Sequence, residues 1–393
     1  MRPHVFVRIL CLSTCLAATS QAQQAKTFRW EEGETKGGRL EYINDTPVMF
    51  LSGSPEEMGR QQAALAGKQM GPLAAMPKKA AEELGASKQW PLLVFAANAL
   101  MRQAPKDHVT ELNTLIKHSK HDHGSLTVAN GLIELRRMGG CASMVVMPER
   151  STNGKLIFGR NFDFPDFDVL DKYHCVFVVK PTNKHAFVAI GYPGLVGVIS
   201  GINDAGLALA TNDVYRSGDG SPVFSPKGCP LAMTYRRILE ECTTVEEAQK
   251  VLEAAPRTTY MNLVVCDSKI GRTFEISPKQ VGVRKPEENI LSCTNHFRVE
   301  GITINEPCWR YDRLTKLKAD TPKFDVDSVH KAMHAVNQGK FTLQTMVFEP
   351  EDMRLHLVMG GKGPVSGGKL KTFDLKKWLG EKKNTTTAAA SRD

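Results

Sequence analysis

The spacing of hydrophobic residues along the chain changes abruptly at Cys141. From Ser54 to about Met138, apolar residues recur every three or four positions, a period that predicts a series of helices. The first helix has a well-marked start, because Ser54 can cap it, Pro55 suits its first position and Glu57 completes a capping box. The chain before Cys141 is therefore predicted to be mostly helical.

Short apolar and β-branched runs dominate the chain after Cys141, and turn signals such as Asn153-Gly154 separate them. This pattern of short apolar runs and turns is typical of a multistranded, largely antiparallel sheet. It predicts strands over residues 142–147, 155–159, 175–180, 186–190, 196–200, 206–210, 260–267, 272–276 and 290–294. Short strands are also predicted over 26–50, and a closing hairpin over 345–348 and 354–358.

Helical periodicity returns in two pairs of segments after Cys141. One pair covers residues 231–240 and 245–255, and Thr244 with Glu247 forms a second capping box at the start of the latter. The other pair covers residues 309–317 and 326–338. Helices and strands that come in separate groups indicate an α+β protein.

The composition excludes a disordered or fibrous protein. Of 393 residues, 41% are hydrophobic and 24% charged, which suffices for one large core or two moderate ones. The amino terminus carries Arg2, an apolar stretch to Ala18 and a small-x-small site ending at Ala22, the features of an export signal. Export to the periplasm or the exterior is expected, with a buried helix or a lipoprotein site at Cys15 as alternatives.

The charge of the chain does not indicate a nucleic-acid partner. The formal net charge of +9 includes Arg2 and Arg8 of the expected signal, and the other basic residues are scattered rather than clustered. Such a charge suits solubility or an anionic membrane surface. No run after the signal approaches the roughly 18 apolar residues that cross a bilayer, so no integral membrane association is expected.

Seven cysteines remain after the expected signal, an odd number that implies at least one free thiol. The pairing of the others cannot be deduced. A C-x-x-C pair is absent, and His118, His121 and His123 are better explained as a solvated helix-to-loop segment than as metal ligands. Neither a metal nor a cofactor is expected.

The strongest candidate for chemistry is Cys141, which follows two glycines at the change from helices to strands. Glycines can adopt strained backbone dihedrals and leave the Gly140 carbonyl accessible. The thiol could attack that carbonyl, form a thioester and, after hydrolysis, leave Cys141 with a free α-amine that serves as its own base. Taken alone, Gly139-Gly140-Cys141 also fits a buried structural cysteine after a turn.

Arg160 and Asp163 come one strand and one turn after Cys141. A hairpin of this length brings its far end back beside its start, so both side chains are expected near the sulfur. A cation lowers the pKa of a thiol, and a carboxylate can hold the new ammonium group. An ordinary salt bridge between the two residues is the alternative.

The pattern Cys141-x-Ser143 followed by Gly-Arg160-Asn-x-Asp163 resembles the start of the mature β-chain in N-terminal nucleophile (Ntn) cysteine hydrolases. The resemblance is to acid ceramidase and N-acylethanolamine amidase, to bile salt hydrolases and penicillin V acylases, and to 6-aminopenicillanic acid acyltransferases. Ala142 departs from the threonine common in these families. The resemblance implies a four-layer α-β-β-α sandwich with the active site between the sheets.

Later segments extend the resemblance to most of the chain. The Asn203 to Asn212 segment and the Cys293-Thr-Asn295-His-Phe segment are similar to family motifs, and so is the segment containing Arg310 and Arg313. The resemblance implies that Asn212 contributes to the oxyanion hole and that Asn295 helps to hold the substrate or the oxyanion. Neutral amide donors stabilise the charge that develops there. The resemblance also implies that Asn203 and one of the two arginines contact the substrate, without indicating which arginine.

These observations predict an exported precursor that cleaves itself between Gly140 and Cys141. Residues 1–22 would be the signal, 23–140 a mostly helical α-subunit, 141–380 the catalytic β-subunit and 381–393 a disordered tail. The expected activity is hydrolysis of an N-acyl amide through a thioester on Cys141, and the resemblance implies that the acyl group is apolar. The expected partners are that small-molecule substrate and the chain's own cleaved α-subunit. The alternatives are acyl transfer to an amine and, from another class, a non-catalytic exported protein that binds acylated ligands.

Overall fold

A computed structural model describes residues 28–131, 134, 139–361 and 363–380. The predicted signal, the predicted tail and residues 132–133 and 135–138, at the end of the region predicted to be helical, lie outside this part of the chain. Sixteen strands in the described part form two sheets. Their predicted positions are largely confirmed.

The larger sheet has ten strands in the order β1-β2-β3-β6-β7-β8-β9-β10-β11-β12, and the smaller has six in the order β13-β4-β5-β14-β15-β16. All neighbouring strands are antiparallel except β3 and β6, which are parallel. The strands are β1 Gly33–Thr35, β2 Gly38–Ile43, β3 Thr46–Gly53, β4 Ala142–Val146, β5 Ile157–Asp163, β6 Cys175–Pro181, β7 Phe187–Gly191, β8 Ser200–Asn203, β9 Ala208–Asp213, β10 Met261–Cys266, β11 Gly271–Ile276, β12 Val281–Arg284, β13 Ile290–Cys293, β14 Thr342–Glu349, β15 Arg354–Met359 and β16 Lys371–Asp374.

The described helices fall into three groups along the chain. The group before Cys141 comprises α1 Pro55–Ala66, α2 Gly71–Glu83, α3 Trp90–Met101, α4 Lys106–Ser119 and α5 His123–Asn130. The later groups are α6 Leu231–Glu241 with α7 Val245–Ala254, and α8 Trp309–Asp320 with α9 Val326–Ala335 and α10 Lys376–Leu379. The capping boxes at Ser54 and Thr244 are both present, which confirms these two helix starts.

Three apolar cores separate four layers, so the predicted α-β-β-α sandwich is confirmed. The first core joins helices α1, α4, α6 and α7 to one face of the larger sheet through residues such as Met58, Leu115, Leu239, Leu209 and Leu263. The second lies between the sheets and contains Val178, Ala210, Val264, Phe158 and Phe348. The third joins the smaller sheet to α8 and α9 through Met144, Val347, Leu314 and Met333.

Residues 196–199 do not form the predicted strand. Val196 and Val198 are buried because they pack in the core on the helix side of the larger sheet. Their backbone N–H groups bond to the Asn130 side chain and the Ala232 carbonyl, not to a neighbouring strand. The two short strands β12 and β16 and the helix α10 were not predicted, and α9 ends at Ala335, three residues before the predicted end.

All seven cysteines in the described part of the chain are buried and free, so no disulfide is formed there. None of the helices that the structure describes is long and apolar enough to cross a membrane.

Candidate active site

Cys141 directly precedes β4 and is only 3% exposed. Strands β4 and β5 form the predicted hairpin, in which Ala142 pairs with Asn161 and Ser143 pairs with Arg160. The far end of the hairpin therefore returns to Cys141. The sequence-based expectation that Arg160 and Asp163 lie beside this cysteine agrees with the position of both side chains.

A cavity of about 120 Å³ lies against Cys141. Its lining is mostly apolar and comes from both sides of Cys141 in the sequence. Helices α2 and α5 contribute Leu73, Met76, Leu126 and Ala129, and the rest of the chain contributes residues that include Phe162, Phe164, Leu170, Tyr192, Ile199 and Met261. The polar lining residues are Arg160, Thr211 and Asp213. The arrangement suits an apolar group whose reacting end lies at Cys141.

Arg160 is fully buried at the edge of this cavity. Its Nε donates a hydrogen bond to Ser200 Oγ at 2.5 Å, whereas its Nη2 has no hydrogen-bond partner among the described residues. Burial raises the pKa of the Cys141 thiol, and the charge of Arg160 opposes that rise. The charge of Arg160 therefore favours the thiolate.

Asp163 is buried, and its carboxylate accepts two side-chain hydrogen bonds. Thr342 Oγ1 donates to Oδ1 at 2.6 Å, and Gln338 Nε2 donates to Oδ2 at 3.1 Å. The Arg310 guanidinium lies 3.9 Å from Oδ2. Burial nevertheless raises the pKa of Asp163 to about 6, because removal from water outweighs these partners.

The backbone around the Gly140–Cys141 peptide bond is held by hydrogen bonds on both sides of the bond. Gly140 N–H donates to the Asp163 carbonyl at 2.9 Å. The Gly140 carbonyl accepts from Arg310 Nη1 at 3.0 Å and from Gln338 Nε2, and the Cys141 carbonyl accepts from Arg310 Nη1 at 2.6 Å. The neighbouring strand β5 and two segments distant in sequence, α8 and the connection after α9, thus fix this peptide in the centre of the site.

Gly139 is held in the same way. Its carbonyl accepts from the Tyr215 hydroxyl at 2.9 Å and from Asn295 Nδ2 at 3.4 Å, and its N–H points to Asp213 Oδ2 at 3.4 Å. Neither Gly139 nor Gly140 has a positive φ. The left-handed conformations that glycine allows are therefore not used at these two positions.

Asn295 and Arg310 are part of the site, and Arg313 is not. Arg310 Nη2 donates to Asn295 Oδ1 at 2.7 Å, and Asn295 Nδ2 donates to the Asp213 carbonyl at 2.6 Å. Arg313 is exposed on the same helix, α8. Of the two arginines between which the sequence does not choose, Arg310 lies on the face of α8 that meets the site.

Asn212 lies between the two sheets and does not line the cavity. Its Oδ1 accepts from Ser143 Oγ at 3.0 Å, and its Nδ2 donates to the Cys293 carbonyl at 3.3 Å. Ala208 and Ala210, on the same face of β9, pack in the core between the sheets. Core packing therefore fills the face of β9 that carries Asn212, and Thr211, on the opposite face, lines the cavity.

Asn203 is also occupied by structural hydrogen bonds. Its Nδ2 donates to the carbonyls of Leu239 and Cys242, and its Oδ1 accepts from the backbone N–H groups of Ala205 and Leu207. These bonds close the β8–β9 turn and attach it to the end of α6. The position does not support the predicted contact with a substrate.

Four further residues of the site were not predicted: Gln338, Thr342, Asp213 and Tyr215. Gln338 lies in the connection between α9 and β14, and Thr342 is the first residue of β14, but neither stands in a recognisable motif. Asp213 directly follows Asn212 and faces the cavity because side chains alternate along a strand. That alternation is the one signal in the sequence that could have identified Asp213.

Comparisons with known proteins identify the family of this chain. Residues 150–364, more than half of the chain, match the profile of the family described as acyl-coenzyme A:6-aminopenicillanic acid acyl-transferase. An uncharacterized protein of Archaeoglobus fulgidus is 22% identical over 373 aligned residues, which cover 80% of this chain. The chain spans 61% of the length of that relative.

Three solved structures share part of the architecture, and each match covers 60% of this chain. The N-acylethanolamine-hydrolyzing acid amidase ortholog of Caenorhabditis elegans is matched over its full length with 18% identity and a TM-score of 0.45. A variant of the conjugated bile acid hydrolase of Clostridium perfringens is matched over 93% of its length with 14% identity and a TM-score of 0.43. Penicillin V acylase from Agrobacterium tumefaciens is matched over 87% with 16% identity and a TM-score of 0.42.

Proposed function

Because the chain belongs to the acyl-coenzyme A:6-aminopenicillanic acid acyl-transferase family of Ntn hydrolases, we propose that it is a self-processed cysteine amidohydrolase. The proposed substrate is an N-acyl amide with an apolar acyl group. The observation that carries the proposal is the position of Cys141. This residue lines a mostly apolar cavity, and its peptide bond to Gly140 is held by hydrogen bonds that Gly140 makes with Asp163, Arg310 and Gln338.

The first reaction is cleavage of the Gly140–Cys141 bond. The sulfur of Cys141 attacks the Gly140 carbonyl carbon, and its proton passes by way of the Asp163 carboxylate to the Cys141 nitrogen as the carbon–nitrogen bond breaks. Water then hydrolyses the thioester, so that Gly140 becomes a carboxylate and Cys141 keeps a free thiol and a new amine. In this proposal the carboxylate of Asp163, ionised above a pH of about 6, holds the resulting ammonium.

The second reaction uses the same sulfur on a substrate whose acyl group fills the cavity. The new α-amine of Cys141 accepts the thiol proton, the thiolate attacks the amide carbonyl, and the substrate's amine leaves after protonation. Arg160 favours the thiolate, and its Nη2 is available to a substrate oxygen. Water resolves the acyl-thioester, and transfer to a second amine remains the alternative outcome of this step.

The segment before Cys141 is proposed to stay attached after cleavage as the α-subunit. Strand β3 pairs with β6 along six residues, from Val48 with Val176 to Gly53 with Pro181, so three strands of the larger sheet come from this segment. Its helices also supply four of the apolar residues that line the cavity. Loss of the segment would expose both the sheet and the acyl site. Export through residues 1–22 remains part of the proposal.

The proposal is tested by amino-terminal sequencing of the purified protein together with an activity assay. We expect two associated fragments, the larger beginning Cys-Ala-Ser-Met, and a thiol-directed activity probe that is displaced by a panel of N-acyl amides. Cys141→Ala should remain one chain and bind no probe, whereas Cys293→Ala, which removes another buried thiol, should process normally. A single uncut chain that binds acylated ligands without turnover would instead support the alternative function, a non-catalytic protein that binds acylated ligands.

A further inference from the structure

The carbonyl oxygen of Gly140 receives two side-chain hydrogen bonds before any cleavage has occurred. Arg310 Nη1 donates to it at 3.0 Å, and Gln338 Nε2 is the second donor. This oxygen is the atom on which negative charge would develop if Cys141 attacked the Gly140 carbonyl carbon. Two donors aimed at one such oxygen are the arrangement that stabilises a tetrahedral intermediate.

Gln338 is held in this position by its own contacts. Its backbone N–H donates to Thr342 Oγ1 at 2.8 Å, and its Nε2 also donates to Asp163 Oδ2 at 3.1 Å. Thr342 in turn donates to the other oxygen of Asp163 at 2.6 Å. The amide is thus connected to the carboxylate beside the nucleophile, and little reorganisation is needed when the oxyanion forms.

The space around Gly140 explains why a glycine stands before the nucleophile. A Cβ built on Gly140 would overlap the side-chain amide of Gln338, and all three of its nearest atoms belong to that amide. The φ of Gly140 is not positive, so the backbone itself would accept an alanine. The requirement at this position is therefore room for the Gln338 donor.

From these contacts we propose that Gln338 is a catalytic residue of self-cleavage, which forms with Arg310 the oxyanion hole for the Gly140 carbonyl. The inference rests on the proposed self-processing and adds to it a residue outside the sequence motifs. Arg310 supplies the positive charge, and Gln338 supplies a neutral donor that can lie between the oxyanion and the Asp163 carboxylate. When the Gly140–Cys141 bond has broken and Gly140 has moved away, Gln338 keeps its bond to Asp163.

The experiment follows the cleavage of freshly synthesised chains with time. Wild type, Gln338→Ala and Gln338→Met are made by cell-free synthesis with labelled methionine, and the uncut fraction is measured on denaturing gels. Loss of one oxyanion donor should slow cleavage by roughly a hundredfold in both variants. Asn337→Ala is the matched control and should cleave at the wild-type rate. Among the residues that the structure describes, the Asn337 side chain bonds only to His334 and Gly339 of its own turn.

A double-mutant cycle with Gly140→Ala separates this role from a general effect on folding. Alanine at 140 should slow cleavage in the wild-type background by displacing the Gln338 amide. It should have little further effect in Gln338→Ala, where that amide is absent. The thermal unfolding of the same variants in the uncut Cys141→Ala background should differ little from that of Cys141→Ala alone.

Three results would overturn the inference. Cleavage of Gln338→Met at the wild-type rate would show that the amide is not needed, while leaving self-processing itself intact. Equal slowing by Gly140→Ala in both backgrounds would show that the glycine serves another purpose. A wild-type chain that is never cut would overturn the proposed function and this inference together.

Discussion

Arg310 Nη2 lies 2.7 Å from Asn295 Oδ1, and the other terminal nitrogen of the same guanidinium donates to the carbonyls of Gly140 and Cys141. One arginine therefore orients the asparagine amide and holds both sides of the peptide bond proposed to be cut. A lysine cannot reproduce this fork, because its ammonium is a single point of charge.

We accordingly expect Arg310→Lys to lower both the rate of self-cleavage and kcat/KM by about a hundredfold, the size of effect seen when an oxyanion donor is removed. Arg313→Lys is the matched control, since Arg313 lies on the same helix but is exposed. Time courses of cleavage and steady-state turnover of an N-acyl amide measure the two effects. Equal behaviour of the two variants would show that Arg310 has no special part in the chemistry.

Asn212→Ala should affect stability rather than turnover. The Asn212 side chain joins the two sheets through Ser143 and Cys293, and both bonds are buried. Its removal leaves Ser143 Oγ and the Cys293 carbonyl without these bonds, which should cost about 1–3 kcal/mol of unfolding free energy. Urea unfolding in the Cys141→Ala background measures the loss.

The folded fraction of Asn212→Ala should keep a near-normal kcat with an N-acyl amide substrate. Ser143→Ala removes the hydroxyl that donates to the Asn212 side-chain amide. Because the two side chains share this hydrogen bond, the losses of unfolding free energy caused by Ser143→Ala and Asn212→Ala should be less than additive. A drop in kcat of about a hundredfold with unchanged stability would contradict this structural role and would instead assign Asn212 to the oxyanion hole.

The raised pKa of Asp163 predicts how stability depends on pH. The carboxyl titrates at about 6 in the folded chain and at its ordinary value of 3.8 when unfolded, so the folded state holds the proton more tightly. Asp163 therefore makes the chain progressively less stable as pH rises from 3.8 to 6. Asp163→Asn, which cannot ionise, removes this loss.

Unfolding free energies of Cys141→Ala with and without Asp163→Asn measure the effect at pH 4 and at pH 7.5. The stability of the asparagine variant relative to the aspartate protein should rise by up to roughly 3 kcal/mol between these values. Other titrating groups, such as buried Glu134, are common to both proteins and cancel in the difference. A difference that is independent of pH would contradict the raised pKa.

The same carboxylate predicts a pH dependence of self-cleavage. In the proposed reaction Asp163 must be ionised to accept the thiol proton, so the rate of cleavage should rise as pH increases through about 6. Time courses between pH 5 and 7 in wild type and in Asp163→Asn measure it. The asparagine variant should cleave slowly at every pH, and a similar rise in that variant would assign the titration to another group.

The sequence predicts the parts of the site that depend on local structure. Cys141, Arg160 and Asp163 lie on one hairpin, so the length of its two strands and its turn is enough to bring them together. The two capping boxes are equally local and were predicted correctly. In each case the residues that interact are close in the chain, and backbone geometry alone relates their positions.

The tertiary structure decides which faces and which distant segments meet at Cys141. Alternation along β9 separates Asn212 from Thr211, but both faces of this strand are buried in a four-layer sandwich, so hydrophobicity cannot tell which faces the cavity. Arg310 and Gln338 are 169 and 197 positions from Cys141, and their contacts depend on the packing of α8 and of the α9–β14 connection against the smaller sheet. The period of a strand or helix defines its faces, and only the packing of the layers determines which face becomes part of the site.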